Sequence, residues 1–159
     1  MWAAFYMANR RALGTYALAL TGNPADAQDL IQDVLVRTIR QQHPVQDARA
    51  YVMRCLRNLA IDRHRQSRSR PPETPLDGDG LAFVDADAAT DSDTLAQLRA
   101  ALARLPAQRR EVVVLKVYAN LSFREIAEIL TIPPGTAASH YARALEELRG
   151  LLATEERYV

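Results

Sequence analysis

The chain holds a single cysteine, Cys55, among its 159 residues, so no internal disulfide can form. Its three histidines, His43, His64 and His140, stand far apart, with no cysteine or histidine partner at ligand spacing. No metal site is expected. No apolar run approaches the roughly 20 residues needed to cross a bilayer. The opening Met-Trp-Ala-Ala-Phe-Tyr lacks a basic stretch ahead of an apolar block and does not read as a secretory signal. Together these absences point to a cytoplasmic protein without membrane insertion. There is no phosphate loop and no nucleophile beside a base, so neither an enzyme nor a cofactor is expected.

What is present is material for a core: 48% of residues are hydrophobic and 25% charged. That suits one ordinary domain or two small helical ones. The net charge of +1 conceals an asymmetry. Residues 1–70 hold eleven arginines against five aspartates, and residues 71–98 hold seven acids and no base. Residues 99–159 hold nine bases and seven acids. Two positive blocks fit a polyanionic partner; the acidic connector does not. The connector, PPETPLDGDGLAFVDADAATDSD, is rich in Pro, Gly and Asp and has no helical or strand period. It reads as a flexible linker spanning roughly 25–30 Å. The expected fold is therefore all-α, with two small helical domains over 1–70 and 93–159 joined by a linker over 71–92.

In the first block, apolar spacing predicts a helix from Trp2 to Leu20 with Phe5, Leu13, Tyr16, Ala17 and Leu20 on one stripe. Gly22-Asn23-Pro24 ends it and opens a second, with Asn23 as cap and Pro24 at the first helical position. This second helix runs to about Gln41 and buries Ala27, Leu30, Ile31, Val34 and Leu35. Its opposite face carries Asp29, Gln32, Asp33 and Arg40. His43-Pro44 breaks it. Asp47 caps a third helix to about Gln66, with Val52, Cys55, Leu56 and Leu59 as its apolar stripe. Arg54, Arg57, Asn58, Arg65 and Arg68 lie off that stripe. Arg63, Arg65, Arg68 and Arg70 form a cluster at its end suited to phosphates.

In the second block Asp93 is the expected cap, and Leu95, Leu98, Leu102 and Leu105 form a helical seam. Pro106 starts another helix. Val112-Val113-Val114-Leu115 has strand-like composition, but its helical neighbours favour a buried helix. Ser122 with Glu125 reads as a capping box. Ile126, Ala127, Ile129 and Leu130 face inward, and Thr131–Gly135 is the turn. A last helix to about Leu152 buries Ala137, Tyr141, Ala144, Leu145 and Leu148. This is a helix-turn-helix, with Ala127 small at the crossing and Ile132 plugging the turn. Thr136, Ala138, Ser139, His140 and Arg143 form the outward face of its second helix, which would meet base edges and phosphates. A purely structural helical hairpin would show the same pattern.

The segments Leu105-Pro-Ala-Gln-Arg-Arg-Glu-Val, Leu121-Ser-Phe-Arg-Glu-Ile-Ala-Glu-Ile-Leu and Ile132-Pro-Pro-Gly-Thr resemble the promoter-binding domain of bacterial sigma factors. The closest group is the extracytoplasmic-function (ECF) sigma factors of the sigma-70 family. Leu20-Thr-Gly-Asn-Pro-Ala-Asp-Ala-Gln-Asp-Leu-Ile-Gln-Asp-Val is similar to that group's polymerase-binding helix, and Ala50-Tyr-Val-Met-Arg-Cys-Leu-Arg-Asn-Leu-Ala-Ile-Asp-Arg to its promoter-melting helix. The resemblance implies a region 2-like domain over 1–70 and a region 4-like domain over 93–159. It implies that Asp29, Gln32 and Asp33 contact the clamp coiled coil of core RNA polymerase. Arg54, Arg57, Asn58, Asp62, Arg65 and Arg68 would hold the −10 element, with the Gln41–Gln46 loop receiving an unstacked base. Ser122, Arg124, Thr136, Ser139, His140 and Arg143 would contact the −35 element. Core RNA polymerase, promoter DNA and an anti-sigma factor are the implied partners, and the protein is expected to be a monomer. The acidic linker would thread toward the polymerase active centre, though a plain spacer explains it nearly as well.

One departure concerns the recognition helix. The family usually follows Gly-Thr with an apolar residue and then Lys-Ser-Arg, whereas this chain has Ala137-Ala138-Ser139-His140. Two usual cations are missing, which weakens the case for independent −35 binding. The depletion also suits an alternative, a mimic that sequesters an anti-sigma factor without initiating transcription. The basic third helix argues against it.

Overall fold

In the computed structural model, residues 1–41, 46–67 and 92–156 are described. Among them the backbone forms seven helices and no strand: α1 (Trp2–Thr21), α2 (Pro24–Arg40), α3 (Ala48–Ser67), α4 (Ser92–Arg104), α5 (Ala107–Val117), α6 (Phe123–Leu130) and α7 (Pro134–Glu156). They separate into two compact units, one of α1–α3 and one of α4–α7. The all-helical, two-part architecture expected from the sequence is what is found. The 71–91 connector, the Gln42–Val45 stretch with the His43-Pro44 break, and Arg68 and Arg70 lie outside the described residues.

In the first unit, Gly22 ends α1 in the left-handed region (φ 72°), where a side chain would be strained. Its N–H donates to the Leu18 carbonyl at 2.7 Å. Asn23 then caps α2: its Oδ1 accepts from the N–H groups of Ala25 (2.8 Å) and Asp26 (3.2 Å). Asp47 caps α3 through the Ala50 N–H at 3.2 Å. The core joins Leu13, Tyr16 and Leu18 of α1, Leu30 and Val34 of α2, and Val52, Met53 and Leu56 of α3. Each such large side chain contributes roughly 1.5–3 kcal/mol on burial. Two expectations are corrected here. Leu35, expected in the buried set of α2, is only half-buried. Cys55 was placed on the buried stripe, but it is only half-buried, and Met53 is the fully buried neighbour. The reason is that α3 packs on both α1 and α2, so its inner face takes in Met53 beside Val52, Leu56 and Leu59 and leaves Cys55 at its edge.

The second unit is built around α7, which packs on α4, α5 and α6. Asp93 lies in the first turn of α4 rather than at its cap, where its charge still complements the helix N-terminus. Of the expected α4 seam, Leu102 and Leu105 are buried and Leu98 half-buried; the Leu95 side chain lies outside the described residues. The guanidinium of Arg110 closes the end of α4, donating to the carbonyls of Leu102 (2.9 Å), Ala103 (2.8 Å) and Leu105 (2.9 Å). Val112–Leu115 are all buried in α5, which resolves their strand-like composition as a buried helix. Arg109 pairs with Glu147 between α5 and α7. The ammonium of Lys116 lies 4.5 Å above the Phe123 ring, which tilts against Tyr141 at 5.5 Å.

The helix-turn-helix is α6 and α7. Its turn is shorter than expected: α7 starts at Pro134, which leaves Thr131-Ile132-Pro133 as the connection and puts Gly135 inside the helix. Pro134 suits a first helical position because its missing N–H would find no partner there. Thr131 turns the chain at φ 57° and the Ile132 N–H donates to the Ala127 carbonyl at 3.0 Å. Ala127 and Ala137 are both buried, at 4% and 0% exposure, so the two helices approach closely.

Candidate functional site

Three surfaces follow from this framework. The first lies on α2. Asp29 and Gln32 are exposed and Asp33 is half-exposed, all away from the buried Leu30, Ile31 and Val34. Two exposed apolar residues, Val36 (46%) and Ile39 (56%), lie one to two turns further along. Sequence reasoning missed them. Val36 is seven residues beyond Asp29 and so falls on the same helical face, outside the buried spacing; that offset was the available signal. Sequence reasoning also counted Arg63 in the phosphate-facing cluster. The structure corrects this: the Arg63 guanidinium spans Asp29 (3.1 Å) and Asp33 across the α2–α3 contact.

The second surface lies on α3. Arg54, Asn58, Asp62 and Arg65 are exposed and Arg57 is half-buried, at spacings of three and four that form one helical face. At the start of this face the Tyr51 hydroxyl donates to Gln41 Oε1, tying the helix to the residue where the expected base-capturing loop begins. Burial, and then a hydrogen bond with Cys55, push the Tyr51 phenol above its ordinary value of 10.0. It therefore keeps its proton, and its role as donor, at any working pH.

The third surface is the helix-turn-helix. Arg124 is exposed on α6, and Ser139 and Arg143 are exposed on α7, with Thr136 half-buried beside them. Arg124 and Glu128 border an open groove floored by Ile132, Pro133 and Pro134. His140 differs from the outward position expected. It is half-buried, and its Nδ1 is buried with no partner among the described residues. It lies three residues from Ala137 and four from Ala144, both fully buried, so one edge of the ring turns inward.

Ser122 is engaged in the capping box: its Oγ accepts from the Glu125 N–H at 3.1 Å while the Glu125 carboxylate accepts from the Ser122 N–H at 2.7 Å. Ser122→Ala is expected to cost the second unit about 1 kcal/mol of stability, read as an earlier thermal or urea midpoint. An unchanged midpoint would show that the box contributes nothing.

Among the described residues, no group of three or more His, Cys, Asp or Glu could hold a metal ion. Among the described residues, no helix is long and apolar enough to cross a membrane.

Comparison with known proteins bears on all three surfaces. Residues 5–70 match the family model described as Sigma-70 region 2, and residues 95–148 match Sigma-70, region 4. The chain is similar to the ECF RNA polymerase sigma factor SigL of Mycobacterium tuberculosis, at 34% identity over 156 residues, covering 92% of this chain and 85% of the relative. It is similar also to the RNA polymerase sigma-E factor of Streptomyces coelicolor, at 33% identity, covering 91% and 82%. Among solved structures, the sigma factor RpoE of Bartonella quintana, in complex with the anti-sigma factor NepR, superposes with a TM-score of 0.75. Identity is 26%, over 95% of this chain and 96% of that one.

Proposed function

The chain belongs to the sigma-70 family of RNA polymerase sigma factors, in its extracytoplasmic-function group, and we propose that it binds core RNA polymerase, recognises −10 and −35 promoter elements and initiates DNA-templated transcription. The observation that carries this reading is the pairing, in order, of a region 2 match with a basic α3 face and a region 4 match with a helix-turn-helix. Relatives similar along nearly the whole chain are named sigma factors, which favours the promoter reader over the anti-sigma mimic.

In this reading residues 1–70 serve the polymerase and the −10 element, residues 93–159 the −35 element, and 71–92 connect them. Asp29, Gln32 and Asp33, with Val36 beside them, meet the polymerase clamp. Arg54, Arg57, Asn58, Asp62, Arg65 and Arg68 meet −10 DNA, where phosphate contacts offset the few kcal/mol that unstacking a base costs. Arg124, Thr136, Ser139 and Arg143 meet the −35 element, with Ser122 and His140 at its margin. The protein acts as a cytoplasmic monomer without catalysis of its own. The complex of the similar RpoE with NepR supports an anti-sigma partner here too. Run-off transcription with purified core polymerase tests the reading. A promoter-dependent product is the expected result, and no product from any of its genomic promoters would overturn it.

A further inference from the structure

We infer that Arg63 is a positioning residue for the polymerase-facing acids of α2 and not a DNA contact, an inference that rests on the docking role proposed for Asp29 and Asp33. Arg63 stands on α3 four residues beyond the buried Leu59 and seven beyond Leu56, on the helix's inner side, although its residue type alone would assign it to phosphate. Its guanidinium is instead turned to α2: Nη1 donates to Asp29 Oδ2 at 3.1 Å and Nη2 to Asp33 Oδ2. Its side chain is 32% exposed, against 66% for Asp29 and 46% for Asp33. The cation thus sits beneath two acids that face outward.

Two consequences follow from this geometry. Asp29 and Asp33 are four residues apart on one helix, and such like charges repel. A planar fork that bonds one oxygen of each relieves the repulsion and sets the spacing between the carboxylates. Only Oδ2 of each is used, which leaves Oδ1 of both without a partner among the described residues. The pair is thereby presented as one two-pronged acceptor with a single net negative charge, matched to a cationic partner surface. A lysine carries the charge but lacks the fork, so it cannot fix both carboxylates together.

The test is a mutant cycle on core polymerase binding by the full chain. Asp29→Asn/Asp33→Asn is expected to weaken core binding. Arg63→Ala is expected to weaken it about three- to fivefold, the range for ordering exposed charges, and Arg63→Lys to recover only part of that loss. In the Asp29→Asn/Asp33→Asn background, Arg63→Ala is expected to have no further effect on core binding. The holoenzyme's promoter binding should keep its salt-dependence slope in Arg63→Ala. A slope lowered by about one would assign Arg63 to a phosphate and overturn the inference. Additive losses, or lowered stability with unchanged core affinity, would also overturn it, because each describes a general structural role. If Asp29→Asn/Asp33→Asn binds core like the unaltered chain, the docking role of α2 fails and the inference falls with it. Loss in that double variant without loss in Arg63→Ala removes the inference alone.

Discussion

Replacing Arg54, Arg57 and Arg65 together with alanine is expected to reduce promoter binding by the holoenzyme on the order of fiftyfold at 0.15 M salt, with core polymerase binding unchanged. Arg54 and Arg65 are exposed on the face of α3 that turns away from the Val52, Met53 and Leu56 core, and Arg57, one turn beyond Met53, is half-buried at its edge. A phosphate contact on single-stranded DNA releases about 0.7 counterion, which at this ionic strength is worth roughly fourfold per contact. Three such contacts multiply to the stated loss. The same variant should lower the slope of log affinity against log salt by about two units. The slope is the decisive readout, because misfolding would reduce affinity and core binding together without that signature. Arg54 and Arg57 also make contacts within the protein, so the melting temperature of the first unit should be followed in parallel. Unchanged promoter affinity in a folded variant would remove α3 from the DNA interface and reopen the anti-sigma mimic.

The contrast between Arg63 and Arg65 shows where sequence reasoning reaches its limit. Local signals translated faithfully into structure. The Gly22-Asn23-Pro24 junction became a left-handed stop, a side-chain cap and a first-position proline, and Ser122 and Glu125 formed their reciprocal box. Each is decided by residues within one turn of each other, which a sequence displays directly. The spacing of Arg63 from Leu56 and Leu59 already turns it to the inner side of α3, but the acids it meets there lie 30 and 34 positions earlier and are not visible in α3 itself. Met53 replaced Cys55 in the core for a similar reason, since only the packing of three helices fixes how wide the inner face of α3 is. The turn before α7 came out short because proline is equally at home in a loop and at a helix start. His140 was misplaced by treating the outward arc of α7 as wider than its contacts with α4, α5 and α6 allow.

The weak charge of the α7 face sets the expected result of disabling the second unit. Leu115 is fully buried in α5, between helices that build the helix-turn-helix. Leu115→Asp would place a carboxylate in that buried apolar setting. That costs about 4 kcal/mol or more, comparable to the whole stability of a domain this size. The second unit should therefore unfold, seen as loss of its protection from proteolysis, while α1–α3 keep theirs. Core polymerase binding through α2 should persist, because the first unit has its own caps and core. Discrimination between promoters with and without a −35 element should vanish. Affinity for a promoter with a consensus −10 element should fall less than in the α3 triple-alanine variant. The outward side of α7 offers Arg143 as its exposed cation, with Ala138 and His140 standing where the sequence resemblance implies a lysine and an arginine. An anchor with fewer phosphate contacts adds less, even when tethering raises its effective concentration. Loss of core binding in Leu115→Asp would mean that the two units do not fold independently. A larger fall in affinity than in the triple-alanine variant would make the helix-turn-helix, despite its missing cations, the dominant grip on promoter DNA.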